Sequence, residues 1–412
     1  MSRPRFDRLA YREPTPSRPL MDALGILNRY VILPGVLRVA EIDFPQADLT
    51  RLRATLRQTG ATFLAPHHPE FTTDWLIDKE IARRSSALMA HWASYEVVNI
   101  HPVAQWVWLR NNLIANAPGG AGKEYSVRWA LAGHGVLLHP EGVPSWHGDR
   151  VGPLVPGVID MALEAARQGG GRATVAPLVW KLRFRGDVSR ELHQAITHIE
   201  RMLGVPSAAK LPLEQRFAAL QALLLERSMA RYGKARTISV GTFFADQEQH
   251  VQSLFHDLES RHGTSEGDRR RRAHALRRAL LAAAGADPER ARQDRRALAE
   301  IERLGHFTEE YYGGPTLTQE QIAESLTQIR LALAGRGLRE GLFGVLPVAV
   351  ARRVASIRVP DPLTVTSDDT SAEKRQELLH ELKDRLQGAL DRLGAELEPA
   401  VGRYRRPNPF RP

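Results

Sequence analysis

The chain has 412 residues, of which 43% are hydrophobic and 25% are charged, so its composition is that of a folded globular protein with one large core or two ordinary ones. It contains no cysteine, which excludes disulfide bridges, thiolate zinc sites and cysteine nucleophiles. The formal net charge of +10 favours anionic partners such as lipid headgroups, nucleic acid or thioester carriers, although a general arginine bias explains it equally well.

Residues 1–36 are predicted to form an N-terminal arm that leads into an amphipathic helix. The first twenty residues are rich in arginine and proline, which favours a flexible segment. The apolar face of the helix, which could lie on lipid or pack within the protein, would carry Leu24, Leu27, Val31 and Ile32. No run approaches the roughly 18 apolar residues of a membrane span. We therefore expect a cytoplasmic protein with peripheral contact at the inner face of the cell membrane.

Residues 37–187 alternate strand and helix patterns, which is typical of an α/β domain. Apolar alternation at 37–44 and a short apolar run at 61–65 each predict a strand, with a helix between them whose N-cap is Asp48. The other elements predicted in this region are helices at 74–92, 123–132 and 157–168 and strands at 135–138 and 174–184.

Residues 188–349 show one helical pattern after another, separated by breaks that contain glycine, and we interpret them as a helical insertion. The helices are predicted at 189–203, 213–231, 242–261, 269–284, 288–304 and 318–334.

Residues 350–398 are predicted to complete the first domain. A strand pattern returns at 354–359, and a polar loop follows it. Thr370 and Glu373 then have the spacing of a capping box that opens the last helix. Residues 399–412 are left as a C-terminal tail.

Two histidines, His67 and His68, follow the predicted strand at 61–65, and α/β folds place ligands at this end of a strand. Transfer of an acyl group to a hydroxyl needs a base that takes the proton as the oxygen attacks, and imidazole suits this at neutral pH. A carboxylate that holds the other ring nitrogen fixes the tautomer. We therefore predict His68 as the base, ahead of His67, with Asp74 as its orienting partner.

A second motif follows the predicted strand at 135–138, and its sequence is His139-Pro140-Glu141-Gly142-Val143-Pro144-Ser145. A segment with glycine and proline at 152–157 then leads into a helix, whose first N–H groups favour an anion. Taken alone, each of these segments is also what an ordinary turn between a strand and a helix looks like.

Together these segments resemble the glycerolipid acyltransferase family, of the lysophosphatidate acyltransferase type. Members carry a His and an Asp separated by four residues, then a Phe-Pro-Glu-Gly-Thr-Arg-Ser motif, a glycine-proline segment and a strand with a Val-Pro-Val-like core. The similar segments of this chain occur in the same order, at 65–74, 139–145, 152–157 and 175–179. The family's closing strand and helix are similar to 354–397.

The resemblance implies an α/β fold with a glycerolipid-acyltransferase-like mixed sheet flanked by helices, here with a large all-α insertion. It implies a transferase of phospholipid biosynthesis, similar to a 1-acylglycerol-3-phosphate O-acyltransferase. Such an enzyme moves a fatty acyl group from acyl-CoA or acyl carrier protein to a hydroxyl of a lipid acceptor, and the resemblance implies no cofactor. The catalytic candidates are His68, Asp74 and His67, and the substrate-binding candidates are Glu141, Gly142, Val143 and Ser145.

Three differences from the family pattern leave an alternative open. Five residues separate His68 from Asp74 and six separate His67 from it. The family's second motif ends in an arginine that the similar segment 112–116 lacks, and Val143-Pro144 replaces the family's Thr-Arg; these two losses weaken the expectation of a glycerol-phosphate acceptor. The alternative is a catalytically inactive relative that binds lipid or acts as a scaffold. It predicts that no ring nitrogen of either histidine comes within about 3.2 Å of an Asp74 oxygen.

The helices predicted at 269–284 and 288–304 are rich in arginine. Such a surface is most often a solvated face paired with nearby acids, although it could contact anionic lipid or nucleic acid. It has almost no interleaved aromatic residues and no recognisable DNA-binding motif, so we expect no nucleic-acid partner. His134, His139 and His147 lie close in sequence without a spacing typical of metal ligands, so we also expect no metal site.

Overall fold

The computed structural model describes residues 10–411 except 71, 118, 146, 264–265, 283–286, 334–342, 344–346 and 370. The chain divides into two compact units, one of Met1–Arg185 with Val345–Ala400 and one of Gly186–Gly344 with Val401–Pro412. The first unit is built on a large sheet, and the second consists mainly of helices.

Strands and helices alternate along most of the first unit, as the sequence predicts. Its strands are β1 (Val39–Asp43), β2 (Ala61–Pro66), β3 (Met89–Ala93), β4 (Leu113–Ala115), β5 (Gly135–Leu137), β6 (Arg172–Phe184), β8 (Arg353–Arg358) and β9 (Leu363–Thr366). Its helices are α1 (Arg18–Leu27), a π-helix (Asn28–Val36), α2 (Gln46–Arg57), α3 (Thr72–Ser85), α4 (Tyr95–Val98), α5 (Pro102–Arg110), α6 (Ala121–Leu131), α7 (Gly157–Gln168) and α15 (Ala372–Val401).

In the described part of the chain these strands form one mixed sheet of eight, in the order β1-β8-β6-β2-β5-β3-β4, with β9 also paired to β6. The strands from β6 to β4 are mutually parallel. The two later strands, β8 and β9, run antiparallel to the long strand β6. The protein is thus an α/β protein whose mixed sheet is flanked by helices.

Strand β2 lies in the middle of the parallel part and is buried along its whole length. Successive side chains of a strand point to opposite faces, so Phe63 joins the apolar cluster that includes α7 and α15, whereas Leu64 joins the cluster that includes α2 and α3. A strand covered on both faces reads as a continuous apolar run. This is why residues 61–65 were recognisable in the sequence.

The helix predicted at 74–92 is wrong in its extent. Helix α3 begins at Thr72 and ends at Ser85, and Ser86 then takes a positive φ of 58°. The following apolar residues form β3, whose Met89 and Ala90 are fully buried. The strand is short and apolar on both faces, so its residues have the same composition as one more turn of a buried helix.

Three other local predictions differ from the structure. Pro45 is the N-cap of α2, and Asp48 lies in its first turn. The residues after β8, predicted as a polar loop, include β9. Thr370 lies outside the described residues, and Ser371 Oγ accepts a hydrogen bond of 3.0 Å from Lys374 N at the start of α15.

The N-terminal segment is more ordered from residue 10 than its composition suggests. Thr15 N and Ser17 N donate to the carbonyls of Leu109 and Arg110, at 3.1 Å and 2.8 Å. The predicted amphipathic helix is α1 followed by the π-helix. These two helices leave large apolar side chains exposed, namely Ile26, Leu27, Tyr30 and Val31.

The second unit consists of successive helices, in agreement with the sequence prediction. They are α8 (Ser189–Leu203), α9 (Leu213–Arg231), α10 (Phe243–His262), α11 (Arg269–Ala282), α12 (Pro288–Leu304), α13 (Glu309–Tyr312) and α14 (Gln319–Leu333). The C-terminal residues are not a free tail, because β10 (Arg406–Pro407) pairs with β7 (Thr316–Leu317) and Phe410 packs against Phe217, Phe243 and Phe307.

Several arginines of α11 and α12 are paired with carboxylates within the second unit. Arg272 forms two hydrogen bonds with Glu259, at 2.8 Å and 2.9 Å, and Arg277 contacts Glu302 at 2.5 Å. This pattern is that of a solvated face with nearby acids. Among the described residues, none of the helices combines the length and apolar character required to cross a bilayer.

The second unit also contains a buried ion pair that offers a test of its stability. Arg216 is 1% exposed and contacts Glu200 at 2.6 Å and 3.0 Å. Replacing Arg216 with methionine leaves Glu200 buried without its cation, so we expect the free energy of unfolding to fall by about 3–5 kcal/mol. The measurement is urea-induced unfolding followed by circular dichroism.

The matched control for this prediction is Arg227→Met, because Arg227 is exposed on the same helix, α9. We expect the control to change the free energy of unfolding by less than about 0.5 kcal/mol. Equal effects of the two substitutions would contradict the prediction.

Candidate active site

Three parallel strands bring the motif residues together. Pro66 at the end of β2 pairs with Leu178 of β6, and Leu64 pairs with Leu137 at the end of β5. The carboxyl ends of β2 and β5 therefore lie side by side, next to the middle of β6. The residues that follow β2 and β5 are the two predicted motifs, so they meet at this edge of the sheet.

His68 and Asp74 form a direct pair. His68 Nδ1 lies 2.8 Å from Asp74 Oδ2, inside the limit of about 3.2 Å set for a catalytic pair. Asp74 is completely buried in the first turn of α3. Its oxygens also accept hydrogen bonds from Glu70 N at 2.8 Å and from Trp180 Nε1 at 3.4 Å. The carboxylate is therefore fixed, and the Nδ1–H tautomer of His68 leaves the lone pair on Nε2.

The second motif holds the backbone of His68 from both sides. The N–H of His68 donates to Glu141 Oε1 at 2.7 Å, and its carbonyl accepts from Ser145 N at 2.7 Å and Ser145 Oγ at 3.1 Å. Glu141 Oε2 accepts from Gly152 N at 2.8 Å. A Cβ on Gly152 would lie 2.6 Å from this oxygen, so a larger residue here would displace the Glu141 carboxylate. Glu141 thus positions two loops.

The remaining substrate-binding candidates lie around this contact. Gly142 turns the chain with a positive φ of 72°, which favours glycine. Val143 is 49% exposed and Val155 is 40% exposed. Val155 N donates to Pro140 O at 2.7 Å, which ties its segment to the motif. The loops near His68 thus carry exposed apolar side chains.

His67 does not contact Asp74. Its ring packs against Trp180, with centroids 5.1 Å apart, and the residue is 0% exposed. Within the described residues neither ring nitrogen has a hydrogen-bond partner. Burial, together with the positive charge of the neighbouring His139, lowers the pKa of His67 to about 3, so the ring is neutral. The structure therefore brings His68 and not His67 to the carboxylate.

A third histidine, His139, lies beside His68 in surroundings that favour its cationic form. Its Nδ1 faces the carbonyls of Pro66 and His67 at 3.2 Å and 3.1 Å, and its Nε2 lies 3.0 Å from Asp78 Oδ2. Both nitrogens face acceptors, so both must donate. Burial alone would lower the pKa of His139, but the contacts with Asp78 outweigh it and the pKa is raised.

The cationic ring of His139 stacks on the ring of His68. The centroids are 4.1 Å apart, and the planes are inclined by 16°. Burial lowers the pKa of His68 well below its usual value, and repulsion from His139 and His67 adds to this. Burial also raises the pKa of Asp74. The N–H donors of Glu70 and Trp180 have the opposite effect, because they favour the charged carboxylate. His68 is thus neutral and able to accept a proton at neutral pH.

The loop between His68 and Asp74 is fixed by a distant strand. Glu70 Oε1 contacts Arg353 Nη1 of β8 at 2.5 Å, and Arg353 Nη2 lies 3.3 Å from Thr73 Oγ1. Arg353 is 6% exposed, so this ion pair is screened little by solvent. Glu70 and Thr73, two described residues of this loop, are therefore both tied to β8.

The sequence motifs identify His68, Asp74 and Glu141 but not Asp78 and Trp180. Asp78 follows Asp74 by four residues, so the two carboxylates share one face of α3. This spacing was a usable signal. No sequence pattern indicates Trp180, because its contact with Asp74 depends on the register between β2 and β6.

Within the described residues, no group of three or more histidine, aspartate and glutamate side chains is arranged to hold a metal ion. A scan of protein-family models finds no match to this chain, and a search of curated proteins finds none either.

The buried neutral His67 predicts sensitivity to acid. Its pKa is about 3 in the folded chain and 6.5 unfolded, so the unfolded chain binds the proton first as the pH falls below 6.5. Between pH 7 and pH 4 this single group lowers the free energy of unfolding by about 3 kcal/mol. We expect His67→Phe to remove this loss, which urea unfolding at several pH values would measure. An unchanged pH profile in the variant would contradict the assignment.

The stacking of His139 on His68 predicts the direction in which the pKa of His68 changes when His139 is replaced. Replacing His139 with glutamine removes the positive charge, so we expect the pKa of His68 to rise. NMR titration of the His68 ring measures it without any assay of activity. A pKa of His68 that stays constant or falls in this variant would rule out the electrostatic role of His139.

Proposed function

We propose that this protein is an acyltransferase of the lysophosphatidate acyltransferase type. It moves a fatty acyl group from a thioester, acyl-CoA or acyl carrier protein, to a hydroxyl of a phospholipid-like acceptor. The contact of 2.8 Å between His68 Nδ1 and Asp74 Oδ2 carries this proposal. The additional loop residue had favoured an inactive relative, and this distance removes that reason.

The chemistry needs one base and no protein nucleophile. As the acceptor oxygen attacks the thioester carbonyl, its proton passes to His68 Nε2, and the charge on the ring is stabilised by Asp74. The tetrahedral intermediate then breaks its carbon–sulfur bond. The departing thiolate takes the proton from His68, and the products are an ester and a free thiol. A neutral, buried imidazole is suited to the first step.

The surroundings of the site agree with a lipid acceptor. Val143 and Val155 expose apolar surface on the loops that hold His68. Elsewhere in the first unit, Tyr30 is 69% exposed and Val31 is 53% exposed, on the π-helix. Exposed apolar side chains on an amphipathic segment favour insertion into the headgroup region of a bilayer. We therefore place the reaction at a membrane surface, with peripheral contact through this segment.

Replacement of His68 tests the proposal. We expect His68→Gln to lower kcat by about 10²–10⁴-fold, because the general base is lost while the backbone contacts with Glu141 and Ser145 remain. The assay follows release of thiol from acyl-CoA or acyl carrier protein, with lysophospholipids as acceptors.

His134→Gln is the matched control, because His134 precedes β5 and so lies at the opposite end of that strand from His139. It should leave turnover unchanged. Wild-type turnover in His68→Gln, or no transfer to any lysophospholipid by the unmodified protein, would refute the proposal.

A further inference from the structure

The first unit contains a cavity of about 230 Å³ that is separate from the candidate active site. It is bordered by α1, the second half of α3 and the start of β3, and none of its lining residues belongs to the pair formed by His68 and Asp74 or to the loops around it. Its polar and charged lining includes Arg18, Asp22, Lys79, Arg83, His91 and Asn111.

Lys79 is the central charged group of this cavity. It is 8% exposed, and its Nζ donates to the carbonyl of Asn111 at 3.1 Å. Within the described part of the chain it makes no salt bridge, and of the nearby carboxylates Asp78 favours its charged form without contacting it, so two of its three N–H donors have no partner there. A buried ammonium group without a counter-ion is unfavourable. An anionic ligand would compensate it.

Two further groups on the cavity wall have no partner. His91 is 3% exposed, and among the described residues neither ring nitrogen has a hydrogen-bond partner. The same holds for Oδ1 of Asn111, which is 2% exposed. Buried polar atoms are almost always hydrogen-bonded in folded proteins. These groups make the cavity wall polar, and of the three atoms only a protonated nitrogen of His91 can donate to an anion.

The charged residues that line the cavity indicate the charge of its ligand. Arg18, Lys79 and Arg83 contribute three cations against the single carboxylate of Asp22. Arg83 is paired with Glu80 at 2.7 Å, but Glu80 also contacts Arg84 at 2.7 Å and Arg29 at 3.6 Å. One carboxylate is thus shared by three arginines. The region keeps an excess of positive charge, which excludes a cation as the ligand.

We propose that this cavity binds a phosphate-type oxyanion, either free or as part of a lipid headgroup, with Lys79 as its central ligand. Arginine and lysine are the usual partners of phosphate oxygens, and several donors can contact one tetrahedral group at once. Burial lowers the pKa of Lys79 to about 7, against the opposite effect of Asp78, and a bound anion favours the charged form.

Inorganic phosphate is the first probe. We expect it to bind the full-length protein in calorimetric titration and to raise its melting temperature. Lys79→Met should weaken binding by about 10-fold or more, since a charge-assisted hydrogen bond is lost. The matched control is Lys123→Gln, because Lys123 is an exposed lysine of α6. The control should bind phosphate as the unmodified protein does.

A second arm distinguishes the two sources of the oxyanion. Vesicles of phosphatidylcholine with phosphatidic acid are compared with vesicles of phosphatidylcholine alone. Binding that needs phosphatidic acid and is lost in Lys79→Met assigns the cavity to a lipid headgroup, whereas binding of inorganic phosphate alone assigns it to a free ion. Circular dichroism checks that Lys79→Met is folded.

Two results would overturn the proposal: no binding of either probe by the unmodified protein, or equal binding by Lys79→Met. The proposal is independent of catalysis, because His68→Gln should bind phosphate normally. A negative result in the acyl-transfer assay would therefore not contradict phosphate binding in the cavity. A negative result in the phosphate titration would not contradict the acyltransferase proposal.

Discussion

The parallel pairing of β2 with β5 and β6 is the constraint on which the candidate site depends. Because Leu64 pairs with Leu137 and Pro66 pairs with Leu178, the residues after β2 and β5 leave the sheet at the same level. A shift of one residue would exchange the faces of Phe63 and Leu64, both of which are fully buried. The apolar core therefore sets the register, and the register places His68 beside His139.

Three neighbouring histidines show how environment determines function. His67 has no hydrogen-bond partner among the described residues and is neutral. His139 faces acceptors with both nitrogens, which favours the cation and raises its pKa. His68 has a carboxylate on one nitrogen and a cation stacked on its ring, which keeps it neutral but able to accept a proton. Residues of one type thus take different states because their neighbours differ.

Local patterns predicted most of the fold, and contacts between distant residues account for what was missed. Helices with strong periodicity, such as α8 and α12, were predicted at their observed bounds. Strand β3 was not, because its apolar residues continue the pattern of α3 and only its partners β4 and β5 make it a strand. In the site, the pairs Asp78 with His139 and Glu70 with Arg353 join residues 61 and 283 positions apart. No local pattern encodes such pairs, although the spacing of Asp74 and Asp78 indicates a shared helix face.

The helical unit interrupts the sheet at a place where an insertion disturbs little. The chain leaves the first unit after β6 and returns at β8, and these strands are antiparallel neighbours in which Phe184 pairs with Arg353. Arg185 N also donates to Arg352 O at 3.3 Å. The exit and the return are therefore adjacent, so the insertion occupies the position of a hairpin loop. The entropy of loop closure grows only slowly with loop length. The pairing of β6 with β8, which brings Arg353 to Glu70, can therefore form whatever the loop contains. The position of Glu70, between His68 and Asp74, thus depends on a strand that flanks the insertion.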